Sequence, residues 1–417
     1  MVFVYNFLLY VFRNTFPVVA FLSGKWKSWL DGQYFISSQI GNISKQFATA
    51  RCIWMHCASL GEYEQGKPIL QELKQKYPEH QVILTFFSPS GFKMPGSFFQ
   101  ADAVFPLWLD GKFVAKKWIE AIHPEMVIFV KQELWYHYLT ELTYKKIPVY
   151  LVSGTLSAVL LKWLFYKHWY MMLLSRFSYL FVQNEKDLIL AGQFHFKKVM
   201  LAGNSRVDSV VKNRETSWTN ESIASFVAGH PVLFFGSSWP ADIPYLKQVL
   251  LDPFYEDWKI IWAPHDISNK QISFLMDAVD MKWVQRLSEG KLDAEYKKIL
   301  VLHTIGMLKY AYWYADLVYV GGGFGKGVHN LLEPIVYQCP VIFGPNYKAF
   351  PEAVFLVEQK GGFCIKNLNQ WQQILYKLRD PRVRNHCGMI ASSYIAQNMG
   401  TIDKVLPLMT IAAVKNG

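Results

Sequence analysis

The chain is poor in the features that most often give a protein away. Its 417 residues include only five cysteines (Cys52, Cys57, Cys339, Cys364, Cys387), an odd number with no Cys-x-x-Cys pair. That argues against a disulfide framework or a zinc site and fits a reducing compartment. Charged residues are sparse at 18%, against 52% hydrophobic, so the chain is apolar for a soluble protein without being polytopic. Acidic residues are outnumbered and the formal net charge is +11. The basic residues form no run and no nucleic-acid motif accompanies them, so an anionic membrane surface is a better partner than nucleic acid. Short repeats and low-complexity tracts are absent.

A long uninterrupted apolar run is also missing. Residues 1–24 come nearest, but Asn6, Arg13, Asn14 and Pro17 break them. A spanning helix wants about 20 apolar residues, and a central Arg costs roughly 2.5–3.5 kcal/mol. A spanning anchor and a helix lying in the interface both remain open for residues 1–30. No small-residue cleavage site follows, which disfavours a signal peptide. Lys25 and Lys27, with Trp26 and Trp29, flank the segment and place the rest of the chain on the cytoplasmic side.

Two familiar phosphate motifs fail letter by letter. Leu317-Val-Tyr-Val320 reads as a buried strand, followed by Gly321, Gly322, Gly323, Gly325 and Gly327. A dinucleotide fingerprint would need glycine where Lys326 or Val328 stands, and a P-loop would need Ser or Thr where Gly327 stands. Then comes His329-Asn330-Leu331-Leu332-Glu333-Pro334, which predicts a helix start with Asn330 as N-cap. The strand Val341–Phe343 follows, ending at Gly344-Pro345. Strand, glycine loop, helix and strand in this order present backbone N–H groups to a phosphate; the same glycines serve equally well in a turn that only supports the fold.

Length predicts two domains. In the first, strands are expected at 52–56, 82–87, 126–130, 149–152 and 179–182, with a helix at 66–77. After a polar linker at 212–222 the pattern restarts, with strands at 232–235, 259–262, 299–302, 317–320 and 341–343. Short strands at helical spacings indicate α/β architecture, two doubly wound parallel sheets facing a central cleft, with domains at 31–213 and 214–417.

His56-Cys-Ala-Ser59-Leu-Gly-Glu62 follows the first strand. Ser59 and Glu62 match a capping box, so Glu62 caps a helix, or it is a general base at a strand's carboxyl end, or both.

These residues, with Ser88-Pro-Ser-Gly91, Glu133-Leu-Trp135, Gly203-Asn-Ser-Arg206-Val-Asp208 and His329-Asn-Leu-Leu-Glu-Pro334, occur in an order that resembles the Kdo transferases of lipopolysaccharide synthesis. The resemblance runs over almost the whole chain and implies an inverting, metal-independent glycosyltransferase of the GT-B fold. It implies CMP-Kdo as donor substrate, no separate cofactor, a lipid A precursor such as lipid IVA as acceptor, and the cytoplasmic face of the inner membrane as location. By the same resemblance Glu62 is the general base. Asn330, Leu331, Leu332 and Glu333 form the nucleotide motif, with the helix start and glycine amides such as that of Gly323 facing the phosphate.

The departures from the family pattern are specific. Pro264-His265-Asp266 stands where Pro-Arg-His is common, making His265 the expected CMP-binding cation. Ile305-Gly306-Met307 replaces Met-Gly-Glu, leaving mainly backbone contacts. Lys131 stands where a second carboxylate is common, and Arg206 where a Lys is usual. Arg206 is expected to stabilise the leaving phosphate or the Kdo carboxylate. Glu133 is expected to orient the acceptor or to pair with Lys131. The aromatic and basic stretch 160–177 either seats acyl chains or packs as a core helix. The competing functions are a GT-B enzyme using a UDP-sugar and a non-catalytic lipid-binding protein.

Overall fold

The computed structural model describes residues 1–20, 23–94, 99–156, 164–287, 297–304 and 306–411. It separates into two compact units: Met1–Asp208 with the chain from Gly400 onward, and Ser209–Met399.

The first unit holds a seven-stranded sheet of order β3-β2-β1-β4-β5-β6-β7. Its strands are β1 Cys52–Cys57, β2 Gln81–Phe86, β3 Ala103–Pro106, β4 Pro124–Val130, β5 Val149–Gly154, β6 Tyr179–Val182 and β7 Val199–Leu201. Every pairing is parallel, with Ile53 opposite Val82 on one side and Met126 on the other. Helices cover both faces, so the central strands read as continuous apolar runs rather than alternating ones. One face packs Trp54 against Trp118, Phe129 and Tyr138; the other packs Met55 and Tyr63 with Ile69 and Leu73. At the amino end of β1, Arg51 grips Glu125 at the start of β4 through Nε (3.0 Å) and Nη2 (2.9 Å), which holds that carboxylate's pKa below the ordinary range.

The second unit repeats the plan in the order β10-β11-β9-β8-β12-β13-β14. Here β8 is Val232–Ser238, β9 Lys259–Pro264, β10 Val284–Arg286, β11 Ile299–Val301, β12 Leu317–Val320, β13 Val341–Phe343 and β14 Gly362–Cys364. All of its pairings are parallel as well. Trp262, Tyr319 and Trp371, each buried, centre its core.

Two expectations need correction, and a third resolves to one of its alternatives. The expected linker at 212–222 is partly helical: the helix Ser205–Glu215 runs into it and the next begins at Glu221, which leaves 216–220 irregular. The second domain stops at Met399: Asp208 accepts from the amides of Gly400 (2.6 Å) and Ile402 (3.1 Å), and Val405 and Met409 are buried in the first unit's core. In the stretch 160–177, Lys162 and Trp163 lie outside the described residues. Its described helix, Leu164–Leu174, packs Tyr170, Leu173 and Leu174 into the core.

At the amino end of the chain, α1 (Val2–Ala20) runs against α2 (Gly24–Gln46). Tyr5 donates to Asp110 (2.7 Å), and His137 Nε2 lies 2.7 Å from Asn6 Oδ1, pinning α1 to the loop after β3 and to the start of α6 (Tyr136–Tyr144). Phe16 meets Trp29 edge-on at 4.9 Å. The opposite face of α1 leaves Phe3, Val4, Phe7, Leu8 and Val11 exposed at helical spacing. Among the described residues, no helix is long and apolar enough to cross a membrane.

Candidate active site

In a doubly wound sheet the ligand end lies beyond the carboxyl ends of the strands, at the point where strand order reverses. In the first unit that point is between β1 and β4. Glu62 sits in the first turn of α3 (Leu60–Lys76), just past β1. The helix starts earlier than the apolar period at 66–77 predicts, and no capping box forms: the Ser59 hydroxyl bonds to the Glu62 carboxylate rather than accepting a backbone N–H. Lys131, directly after β4 and held at φ +74, reaches the other Glu62 oxygen at 3.7 Å. The pair is partly solvated, so it contributes at most about 1 kcal/mol; its effect is to aim the carboxylate. Ser205 donates to the Gln65 carbonyl one turn along α3, and the Asn204 side chain accepts from the Arg206 amide (3.1 Å). These bonds bring Arg206 to the same end of the sheet as Glu62.

Glu133 does something different from what its sequence position suggests. It does not pair with Lys131. Its Oε2 accepts from Trp135 Nε1 (2.6 Å) and lies 3.2 Å from Nε2 of the fully buried His56. A carboxylate only accepts, so His56 donates from Nε2; its Nδ1 lies 2.9 Å from the Thr85 hydroxyl and 3.1 Å from the Thr85 carbonyl oxygen. Trp54 closes the chain by donating to Thr85 Oγ1 at 2.8 Å. Glu133 is thus the last acceptor of a buried relay, a positioning residue more than a free acid or base. Burial, with the Glu62 and Glu133 charges beside it, also pushes the Cys57 thiol up.

In the second unit the switch point lies between β8 and β12. The glycine loop follows β12, but its amides are mostly spent on the fold. Gly321 donates to Gly236 O (2.9 Å), while Gly325 and Gly327 both donate to Gly322 O (2.8 and 3.3 Å). The Gly322 amide serves the buried Asp242. Gly322 has φ +88, and a Cβ on Gly323 would lie 2.6 Å from Gly344 N, so these two glycines are required by the backbone itself. The amides of Gly323, Phe324 and Lys326 have no hydrogen-bond partner among the described residues. The helix after the loop is only Leu332–Ile335, too short for a substantial dipole. Asn330 accepts from the Leu332 amide (3.1 Å) and donates to Glu333 (3.0 Å). Leu331 and Leu332 are buried side chains, so they can offer a ligand only backbone.

Three rings that the sequence reading did not unite meet beside this loop. Trp239, after β8, lies nearly coplanar with His329 (8° between planes) and donates Nε1–H to its Nε2 at 2.8 Å. His265, after β9, stacks on both, at 4.5 Å from Trp239 and 4.4 Å from His329. Nε2 of His329 must therefore be bare, with the proton on Nδ1. Burial, then the neighbouring His265, pushes the His329 pKa down to about 4, and burial also lowers that of His265. The expectation of a His265 cation is corrected accordingly: near pH 7 it offers a stacking face and a hydrogen bond. Pro264 is buried at the end of β9. Gly306 is exposed at φ +88 with Met307 half-buried beside it, and Ile305 lies outside the described residues.

The fold is similar to that of the UDP-GlcNAc 2-epimerase of Neisseria meningitidis bound to UDP-GlcNAc, at a TM-score of 0.56 and 12% identity, covering 86% of this chain and 99% of that one. With two all-parallel sheets and candidate residues at both switch points, the architecture is that of a GT-B glycosyltransferase. Residues 36–209 match the family model of 3-deoxy-D-manno-octulosonic-acid transferase (kdotransferase). The chain is 27% identical to the 3-deoxy-D-manno-octulosonic acid transferase of Chlamydia trachomatis serovar D, covering 82% of this chain and 81% of that protein. It is 28% identical to that of Aquifex aeolicus, covering 76% and 82%. The chain is a glycosyltransferase, similar over most of its length to the Kdo transferases of lipopolysaccharide biosynthesis.

Proposed function

We propose that the chain transfers Kdo from CMP-Kdo to a lipid A precursor such as lipid IVA, with inversion and without a metal ion. The observation that carries this reading is Glu62, aimed by Ser59 and Lys131 at the carboxyl end of β1 with Arg206 at the same end. Glu62 takes the proton of the acceptor hydroxyl as that oxygen attacks the anomeric carbon. The bond to the CMP phosphate breaks, and its electron pair leaves on the phosphate oxygen. Arg206 is assigned the Kdo carboxylate, as a fixed cation suited to an anion. The nucleotide is assigned to the second unit: Glu333 to ribose hydroxyls, the Gly323 and Phe324 amides to phosphate, and the His265 and Trp239 rings to stacking. Gly306 and Met307 contribute backbone.

The same reading places the protein on the cytoplasmic face of the inner membrane. The exposed apolar face of α1, with Arg13, Lys25 and Lys27 nearby, suits an anionic interface better than bulk water.

Incubation with CMP-Kdo and lipid IVA, followed by mass analysis of the lipid, tests the reading. A Kdo-bearing lipid is expected, in undiminished yield with EDTA. Glu62→Gln should lower kcat by about 100-fold or more while CMP still raises the melting temperature. Full turnover by that variant refutes the base assignment. Stabilisation by UDP but not CMP refutes the donor.

A further inference from the structure

Between α1, α2 and the segment Trp108–Val114 the first unit leaves an opening of about 500 Å³. That is the size of a small-molecule site rather than a packing defect. Leu9, Phe16, Trp29, Trp108 and Val114 supply apolar walls. Arg13 and Lys112 also line it; both are exposed, and neither has an ion-pair partner among the described residues. The opening is held in shape by the Tyr5–Asp110 and Asn6–His137 hydrogen bonds, which fix α1 at a distance from the loop. Burial raises the Asp110 pKa and lowers that of His137, in keeping with their structural place.

Its location connects it to the chemistry. Trp108 follows β3, two strands from β1, so this wall of the opening lies at the same end of the sheet as Glu62. A series of packed rings leads from its wall toward the Glu133 relay: Trp29 contacts Phe87 (5.5 Å), Phe87 contacts Trp135 (5.3 Å), and Trp135 holds Glu133. An acceptor recognised only through its sugar would have no use for an opening with apolar walls lined by two unpaired cations. An anionic amphiphile would use all of it.

Resting on the reading above, we propose that this opening receives one fatty acyl chain of the acceptor lipid, with Arg13 and Lys112 facing its anionic portion. The site then selects for acylated acceptors.

The test measures kcat/KM for lipid IVA and for the same acceptor with its acyl chains removed. Val114→Phe narrows the opening from α5 (Lys112–Ile122), and Ser37→Trp obstructs its exposed rim, so misfolding of one leaves the other informative. Each chain methylene excluded from the site weakens binding, so the preference for the acylated acceptor should fall at least about tenfold in both variants. An unchanged preference in folded variants overturns the proposal. Reduced binding to anionic vesicles with an unchanged preference assigns the opening to a bulk membrane lipid, which also overturns it. Failure of the wild type to use either acceptor would instead refute the transferase reading. Photolabelling with a diazirine-bearing fatty acyl probe then still decides the site: labels on 9–17 and 108–114 support it, and labels elsewhere do not.

Discussion

Replacing Glu133 by Ala separates its structural from its chemical role. The carboxylate accepts from Trp135 Nε1 and His56 Nε2 through one oxygen, with only 13% of its side chain exposed. Truncation leaves both N–H groups without an acceptor. A buried donor left unsatisfied costs about 1–3 kcal/mol, more when its partner was charged. Partial entry of water lowers the sum, giving an expected loss of about 2–4 kcal/mol. For a unit of this size that corresponds to a melting temperature lower by roughly 5–15 °C. Glu133→Gln keeps one oxygen but sets an NH₂ among donors, so about half the loss is expected. His56→Phe removes one of the two donors, and the double variant should be less destabilised than the sum of the singles, by about 1 kcal/mol or more. Urea unfolding followed by tryptophan fluorescence checks the series, with CMP-induced stabilisation retained throughout because the nucleotide is assigned to the other unit. Glu133→Ala melting with the wild type, or additive singles, would refute the relay.

Gly323→Ala forces a Cβ to 2.6 Å from Gly344 N, so the unit should lose about 1–3 kcal/mol and its CMP-induced shift. Wild-type melting and an unaltered CMP response would show that the loop can give way. For His329 the folded pKa of about 4 lies below the ordinary value near 6.5, so the unfolded chain takes up the proton first as pH falls. Its contribution is intact above 6.5, erodes down to 4 and is level below that. Allowing for its partial exposure, the wild type should lose about 1 kcal/mol more than His329→Gln between pH 7 and pH 5 in denaturant titrations. Equal losses would place the proton differently.

Ten strands were legible as short apolar runs, because central parallel strands bury both faces. The four strands missing from the sequence reading, β3, β7, β10 and β14, are the four sheet edges. Edge strands here are three or four residues long and each carries at least one half-buried position, so they give no distinct run. Glu62 was visible through its position after a strand, but its partner was not. Lys131 and Glu133 are two residues apart, and only the left-handed turn at Lys131 sends one to Glu62 and the other to His56. Trp239 was missed because an aromatic just past a strand looks like any other; its meeting with His265 and His329 depends on three strands ending side by side. The glycine loop was found for a sound reason, yet most of its amides serve the backbone, a distribution that composition does not encode.

The return of the chain at Gly400 has a consequence for synthesis. Val405 and Met409 complete a core whose other members, Ile69 and Leu73 among them, are made near the beginning. All of Ser209–Met399 must be translated in between. At ~5–20 residues per second, the first unit waits roughly 10–40 s on the ribosome with an apolar notch uncovered. That interval, rather than the finished fold, is when this protein is most exposed to aggregation and most in need of a chaperone.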